Sequence, residues 1–237
     1  MLSKANNRST PDLNLYLIPG MSAGEKSFEA LSVPENCSAT FVPWLIPHKD
    51  ETIVGYSKRM MDQVKLEEPY VLVGVSFGGI IAQEAMRFLK PQGVILISTV
   101  KSSLEKPPWM RWANRARINH LLPYGLAEKM THKPFELLPA RWKRKWNQYN
   151  DYLPMRDPKY LEWGVNQVLR WEPSDEGFKC PVYHLHGQND ELFPVKYIAG
   201  HELIPDAPHI MILTHGKAVS KLLARICTEL IKPKKID

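Results

Sequence analysis

One stretch constrains this chain more than any other. Tyr70-Val71-Leu72-Val73-Gly74-Val75 is a continuous, largely β-branched run, and Ser76-Phe77-Gly78-Gly79 follows it directly. Such a run reads as a strand covered on both faces, as in a parallel sheet. From Gly78 to Leu89, the apolar residues Ile80, Ile81, Ala85, Met86 and Leu89 recur near helical spacing. The chain must therefore turn from strand to helix at Ser76. Only small flanking residues let two elements approach that closely, which accounts for Gly74, Gly78 and Gly79. Such a turn strains the serine backbone and exposes its hydroxyl, and the N–H of Phe77 opens the helix, where it can donate to an oxyanion.

The rest of the chain supplies partners for this unit. LNLYLI (13–18) reads as a buried strand ending at Pro19-Gly20. ATFVPW (39–44) reads as a strand that Pro43 interrupts or ends. VILIS (94–98), VYHLH (182–186) and HELI (201–204) are further short strands. Helices are predicted over 24–31, from about 51 to 65 with Asp50 or Thr52 as cap, over 78–89, and from Lys217 to Ile231. The last presents Val219, Leu222, Leu223, Ile226 and Leu230 on one face. This alternation predicts an α/β fold with a mostly parallel sheet of about six strands flanked by helices. Residues 100–177 break the alternation and read as helices. The expected organisation is a polar tail over 1–12, a core of 13–99 with 178–237, and a helical insertion at 100–177.

A chain of 237 residues, 44% of them hydrophobic, can bury a sizeable core without metals or disulfides. Cys37, Cys180 and Cys227 are odd in number and unpaired in spacing, so they read as thiols in a reducing compartment. The first residues carry no apolar segment of the kind a signal peptide needs, and no run approaches the length of a spanning helix. A cytoplasmic protein without a membrane span is expected. The formal charge is +6, with eleven Lys/Arg against three Glu between Lys101 and Trp146. That local excess is either a solvated helical face or an attraction for an anionic molecule. Nucleic acid is not expected as a partner, because no fold signature for it accompanies the charge. No metal-ligand spacing occurs among the histidines and cysteines, and no cofactor is expected. Oligomeric state is not legible in the sequence.

The stretch from Leu17 to Met86 resembles the α/β-hydrolase superfamily, in particular its small lidded serine esterase-like members. The residues that carry the resemblance are Leu17-Ile18-Pro19-Gly20-Met21 and Val73-Gly74-Val75-Ser76-Phe77-Gly78-Gly79. It implies that Ser76 is a nucleophile on a strand–helix elbow. It also implies an oxyanion hole formed by the N–H of Phe77 and that of Met21, with Ser22 as the lesser candidate. Larger members open with extra strands for which residues 1–12 leave no room, so a shortened version of the fold is expected. The insertion stands where family lids do.

A serine hydroxyl needs an imidazole to take its proton and a carboxylate to orient that imidazole. In this family the acid precedes the histidine. His186-Gly187-Gln188-Asn189-Asp190 is similar to the family's H-G-x-x-D loop, which makes Asp190 the acid ahead of its neighbour Glu191. Two histidines compete as base. If Ile210–Leu213 is the last strand, His215 is the base; if His201–Ile204 is the last strand, the base is His209. The resemblance favours His209, which stands the family's distance before Val219-Ser220-Lys221-Leu222-Leu223. His48, His120, His132, His184, His186 and His201 read as structural or surface residues.

Together these residues imply a hydrolase cleaving an ester, thioester or related acyl bond of a small molecule, for which the basic insertion suggests negative charge. Trp109, Trp112 and Trp163 are candidate substrate contacts. The alternatives are a non-catalytic small-molecule receptor on the same scaffold, or a C–C bond hydrolase or lyase.

Overall fold

Six parallel strands carry the molecule: β1 (Leu13–Ile18), β2 (Cys37–Phe41), β3 (Tyr70–Val75), β4 (Gly93–Ile97), β5 (Val182–Gly187) and β6 (Glu202–Ile204). The computed structural model describes residues 10–116 and 151–231. The strand order is β2-β1-β3-β4-β5-β6. Successive strands are added to one side of β1 with β2 and to the other from β3 onward, so the chain's progress across the sheet switches direction between β1 and β3, and a crevice opens at the carboxyl ends of those two strands. Their register pairs Ile18 with Gly74, so the residues after β1 and those after β3 emerge side by side.

Burial on both faces explains why these runs lack a polar alternation. Tyr16, Ile18, Leu72, Val94 and Leu96 face one core. Leu13, Leu15, Leu17, Val71, Val73, Ile95 and Ile97 face the other. Helices α1 (Ile53–Met61) and α2 (Phe77–Ala85) cover the first side through Tyr56, Met60, Ile80, Ile81 and Ala85. The second side is covered by the C-terminal helix through Val219, Leu223, Ile226 and Leu230, with Leu222 partly buried beside them. Thr52 caps α1 by accepting from the N–H of Gly55 at 3.2 Å.

Some boundaries differ from the sequence expectation for local reasons. The predicted helix over 24–31 is a single 3-10 turn, Glu25–Phe28, because the bonds Ser27 to Gly24, Glu29 to Lys26 and Leu31 to Phe28 tighten it. β2 begins earlier than predicted and stops at Phe41. The N–H of Val42 still reaches Leu17, whereas Pro43 has none to give. Helix α2 ends at Ala85, and tighter bonds to Glu84 and Ala85 complete its last turn.

Between β4 and β5 the described residues form α3 (Pro108–Ala116) and α4 (Pro158–Arg170), which pack on each other. Asp157 caps α4, and Pro158 opens it. His120, His132, Trp142, Trp146 and most of the basic run lie outside the described residues. Among the described residues no helix is long and apolar enough to cross a membrane. Cys37, Cys180 and Cys227 are all free, and the Cys227 side chain bonds to that of Cys37, which together with burial pushes the Cys227 thiol up.

The carbonyls at the end of α4 are held by a buried cation. Lys106 is 1% exposed, and its Nζ donates to Leu169 O at 3.1 Å and Trp171 O at 2.5 Å. Burial pushes the ammonium down to about 8. It serves the end of a helix, where carbonyls lack intrahelical partners and the dipole is negative. Lys106→Ala is therefore expected to destabilise the fold by about 2 kcal/mol, read as a lower urea midpoint with the slope unchanged.

Candidate active site

The elbow after β3 is set by contacts that only glycine permits. A Cβ on Gly78 would lie 2.3 Å from the carbonyl oxygens of both Ile18 and Pro19, and one on Gly74 would lie 2.5 Å from Gly78 O. The first turn of α2 thus rests directly on the end of β1. Ser76 takes φ 52° and ψ −118°, a region that costs a side-chain-bearing residue roughly 1–3 kcal/mol. Two bonds hold it there: Ser76 N–H to Ile97 O at 2.9 Å, and Thr99 Oγ1 to Ser76 O at 2.7 Å.

The turn after β1 lies alongside, with a Cβ position on Gly20 only 3.6 Å from Ser76 Cβ. Trp44 Nε1 donates to Gly20 O at 2.9 Å, and the N–H of Ala23 donates to the same oxygen at 2.9 Å. The N–H of Ser22 donates to the buried Tyr160 hydroxyl at 3.2 Å. Met21 N–H makes no hydrogen bond among the described residues. Phe77 N–H, first in its helix, has no intrahelical acceptor. The Phe77 ring stacks on Trp44 at 5.3 Å and 14°. Trp44 and Tyr160 were not singled out from the sequence, because an aromatic residue that anchors a turn looks like any core aromatic.

Two further loops meet at the same crevice. Asp190 follows β5, and His209 follows the short strand β6. The loops are laced together by Gln188 N–H to Ile204 O at 3.0 Å, Asn189 N–H to Ala207 O at 2.9 Å and Asp206 N–H to Gln188 Oε1 at 3.1 Å. His209 Nδ1 lies 2.9 Å from Asp190 Oδ2 and 3.1 Å from Oδ1, and its Nε2 lies 2.9 Å from Ser76 Oγ. The Asp190 carboxylate is fully buried, and its Oδ1 accepts from the N–H groups of Leu192 and Phe193 at 3.0 and 2.8 Å. The Phe193 ring meets the His209 ring edge-on at 5.5 Å.

The structure separates the competing candidates. Ile210–Leu213 does not form a strand: Met211–Thr214 is a short helix, α5, joined at His215 to α6 (Gly216–Ile231). His215 Nδ1 lies 2.9 Å from Thr214 Oγ1. Glu191 is exposed. His186, read from sequence as structural or surface, lies behind Asp190: its Nε2 is 2.8 Å from Phe193 O and 3.4 Å from Asp190 Oδ2. His184 stands behind His186, with ring nitrogens 3.4 Å apart. Burial lowers both imidazoles, His184 to about 2, so both are neutral near pH 7. The i, i+2 spacing of these histidines on one strand was the available signal that they share a face. Among the described residues no group of His, Cys, Asp and Glu could hold a metal.

A cavity of about 730 Å³ opens at Ser76, lined by Met21, Phe77 and residues of α3, α4 and the loop after Asp190. Trp109 and Trp112 line it and remain 56% and 70% exposed. Trp163 does not line it. Its ring lies 4.2 Å from that of Tyr56, and its Nε1 donates to Glu51 O at 2.9 Å, which turns it into the aromatic cluster beneath α4. Arg111 is partly exposed on α3, while the side chains of Arg115 and Arg117 lie outside the described residues.

The family model described as the alpha/beta hydrolase family matches residues 15–222. The chain belongs to that family. Its fold is shared with an esterase from Thermogutta terrifontis, at 17% identity and a TM-score of 0.64, covering 94% of this chain and 92% of that one. It is also shared with a lipase-esterase related protein from Clostridium acetobutylicum, at 17% identity and a TM-score of 0.61, covering 91% and 94%. YbtT, a type II thioesterase from the yersiniabactin pathway, aligns at 16% identity with a TM-score of 0.61, covering 96% and 98%. No curated protein sequence matches significantly.

The closeness of the elbow to β1 has a direct consequence. In Gly78→Ala the new methyl must displace two backbone oxygens. A loss of about 1–3 kcal/mol is expected, measurable by urea unfolding.

Proposed function

We propose that this chain is a cofactor-independent serine hydrolase that cleaves an ester, thioester or related acyl bond of a small molecule. The observation that carries the reading is the unbroken chain from Ser76 Oγ through His209 to the buried Asp190 carboxylate, with both links at 2.9 Å. Family membership and the esterases and thioesterase among the structural neighbours support the same reaction class.

In this mechanism the Asp190 carboxylate accepts a hydrogen bond from the Nδ1–H of His209. That leaves Nε2 as the base facing Ser76. The two N–H bonds to Asp190 Oδ1 keep the carboxylate aimed. Ser76 Oγ attacks the acyl carbonyl as His209 Nε2 takes its proton. The N–H groups of Phe77 and Met21 receive the oxyanion, a role typically worth about 10²–10³ in rate per donor. His209 then protonates the departing alcohol or thiol. Water, deprotonated by the same imidazole, attacks the acyl-enzyme and releases the acid and Ser76. Ser22 is not assigned as a donor because Tyr160 already accepts its N–H. A reducing, cytoplasmic setting suits the three free thiols.

Fluorophosphonate labelling with mapping of the adduct tests this reading. The adduct is expected on Ser76, and Ser76→Ala should lose both labelling and turnover of p-nitrophenyl esters. His209→Ala and Asp190→Asn are each expected to lower kcat about 10⁴-fold or more, while His215→Ala stays close to wild type. Labelling at another residue, or full activity in His209→Ala, would overturn the proposal. Binding of a small molecule without turnover would favour a receptor instead.

A further inference from the structure

We infer that the acyl half of the substrate is an uncharged aliphatic chain, and that Gly164 helps set its length by giving the end of the Met21 side chain a notch at the edge of the cavity. The inference rests on the serine-hydrolase reading for the position of the acyl carbon at Ser76, and it extends that reading to a substrate class.

The cavity beside Ser76 is lined by Met110, Val165, Val168, Leu169, Leu192 and Phe193, with Trp109 and Trp112 also lining it. None of the described lining side chains carries a charge. Apart from Ser76 and the two indoles, all are hydrocarbon or thioether. An ionic or amide-rich acyl group would lose hydration here and gain no partner among the described lining residues. A negative charge on the substrate, as the basic insertion suggests, would therefore belong to the leaving group and not to the acyl chain. The volume is generous. At about 30 Å³ for a group of water size, 730 Å³ holds on the order of twenty methylenes. The reacting ester and the space lost to imperfect packing take a share, which leaves room for roughly eight to fourteen acyl carbons.

Gly164 lies on α4, just before Val165 of the cavity wall. It is buried, and a Cβ there would stand 3.1 Å from Met21 Cε and 3.5 Å from Phe77 Cε1. The end of the Met21 side chain thus occupies the notch that Gly164 leaves in the helix. Met21 also lines the cavity. A larger residue at 164 pushes this flexible thioether out of the notch and toward the acyl space.

The experiment is a series of p-nitrophenyl esters from acetate to hexadecanoate, assayed below micelle concentrations. In the wild-type protein kcat/KM is expected to rise about fourfold per added methylene and to level off within roughly eight to fourteen carbons. Esters of the same length ending in a carboxylate should fall by about 100-fold or more, the order of an unpaired buried charge. In Gly164→Leu the ratio of dodecanoate to acetate turnover should drop at least tenfold, a split between substrates that general loss of folding would not produce. A flat or acetate-favouring profile, or equal turnover of the carboxylate-ended esters, would overturn the inference while leaving Ser76 labelling intact. If no ester is turned over and Ser76 takes no label, the hydrolase reading fails and the cavity is tested by binding. In Ser76→Ala, dodecanol should then displace diphenylhexatriene where dodecanedioate does not, and absence of displacement by dodecanol overturns the inference on its own.

Discussion

The contact between Gly78 and the carbonyls of Ile18 and Pro19 holds the site together. It brings the first turn of α2 onto the end of β1 with no side chain between them. Because β1 and β3 are neighbours in register, that contact also sets the Pro19-Gly20-Met21 turn beside Ser76. The elbow and the turn are therefore one unit. The strain at Ser76 is offset by this packing, by its N–H bond to Ile97 O and by the bond it accepts from Thr99 Oγ1. The aromatic layer of Trp44, Phe77 and Tyr160 then fixes the turn from beneath.

The Asp190–His209 half of the site is assembled differently. Asp190 and His209 sit on loops that bond to each other through Asn189 and Asp206, and to the end of β6 through Gln188. Behind them stand His186 and His184, both made neutral by burial. A neutral His186 touching both Phe193 O and the Asp190 carboxylate supports the loop without adding a competing positive charge. The histidine able to pair with Asp190 from the solvent-facing side is His209, whose side chain is 19% exposed.

Where the sequence leaves alternatives open, the physics of short segments is the cause. Ile210-Met211-Ile212-Leu213 is four apolar residues, and a run that short carries no period to distinguish strand from helix. The structure spends it on a helical turn that buries Met211 and Ile212. Residues 24–31 likewise form only a short 3-10 turn, held by the i, i+3 bonds of Ser27, Glu29 and Leu31. Trp163 was grouped with Trp109 and Trp112 because all three lie in the same tryptophan-rich stretch. Which of them faces the cavity depends on how α3 and α4 rotate about each other, which no single helix encodes.

The sequence by itself determined the six-stranded parallel sheet, the helices against it and the turn at Ser76, because apolar periodicity and small residues at a forced turn are local properties. It also narrowed the candidates for acid and base to Asp190 and a pair of histidines. Only the tertiary structure brought Nε2 of His209 to 2.9 Å from Ser76 Oγ and left His215 against Thr214. Only it gave the N–H of Ser22 to Tyr160 and left that of Met21 without an acceptor among the described residues. The reason is distance along the chain: Ser76 and His209 are 133 residues apart, and Ser22 and Tyr160 are 138 apart. Contacts of that separation are decided by how the layers pack, not by any pattern within a segment.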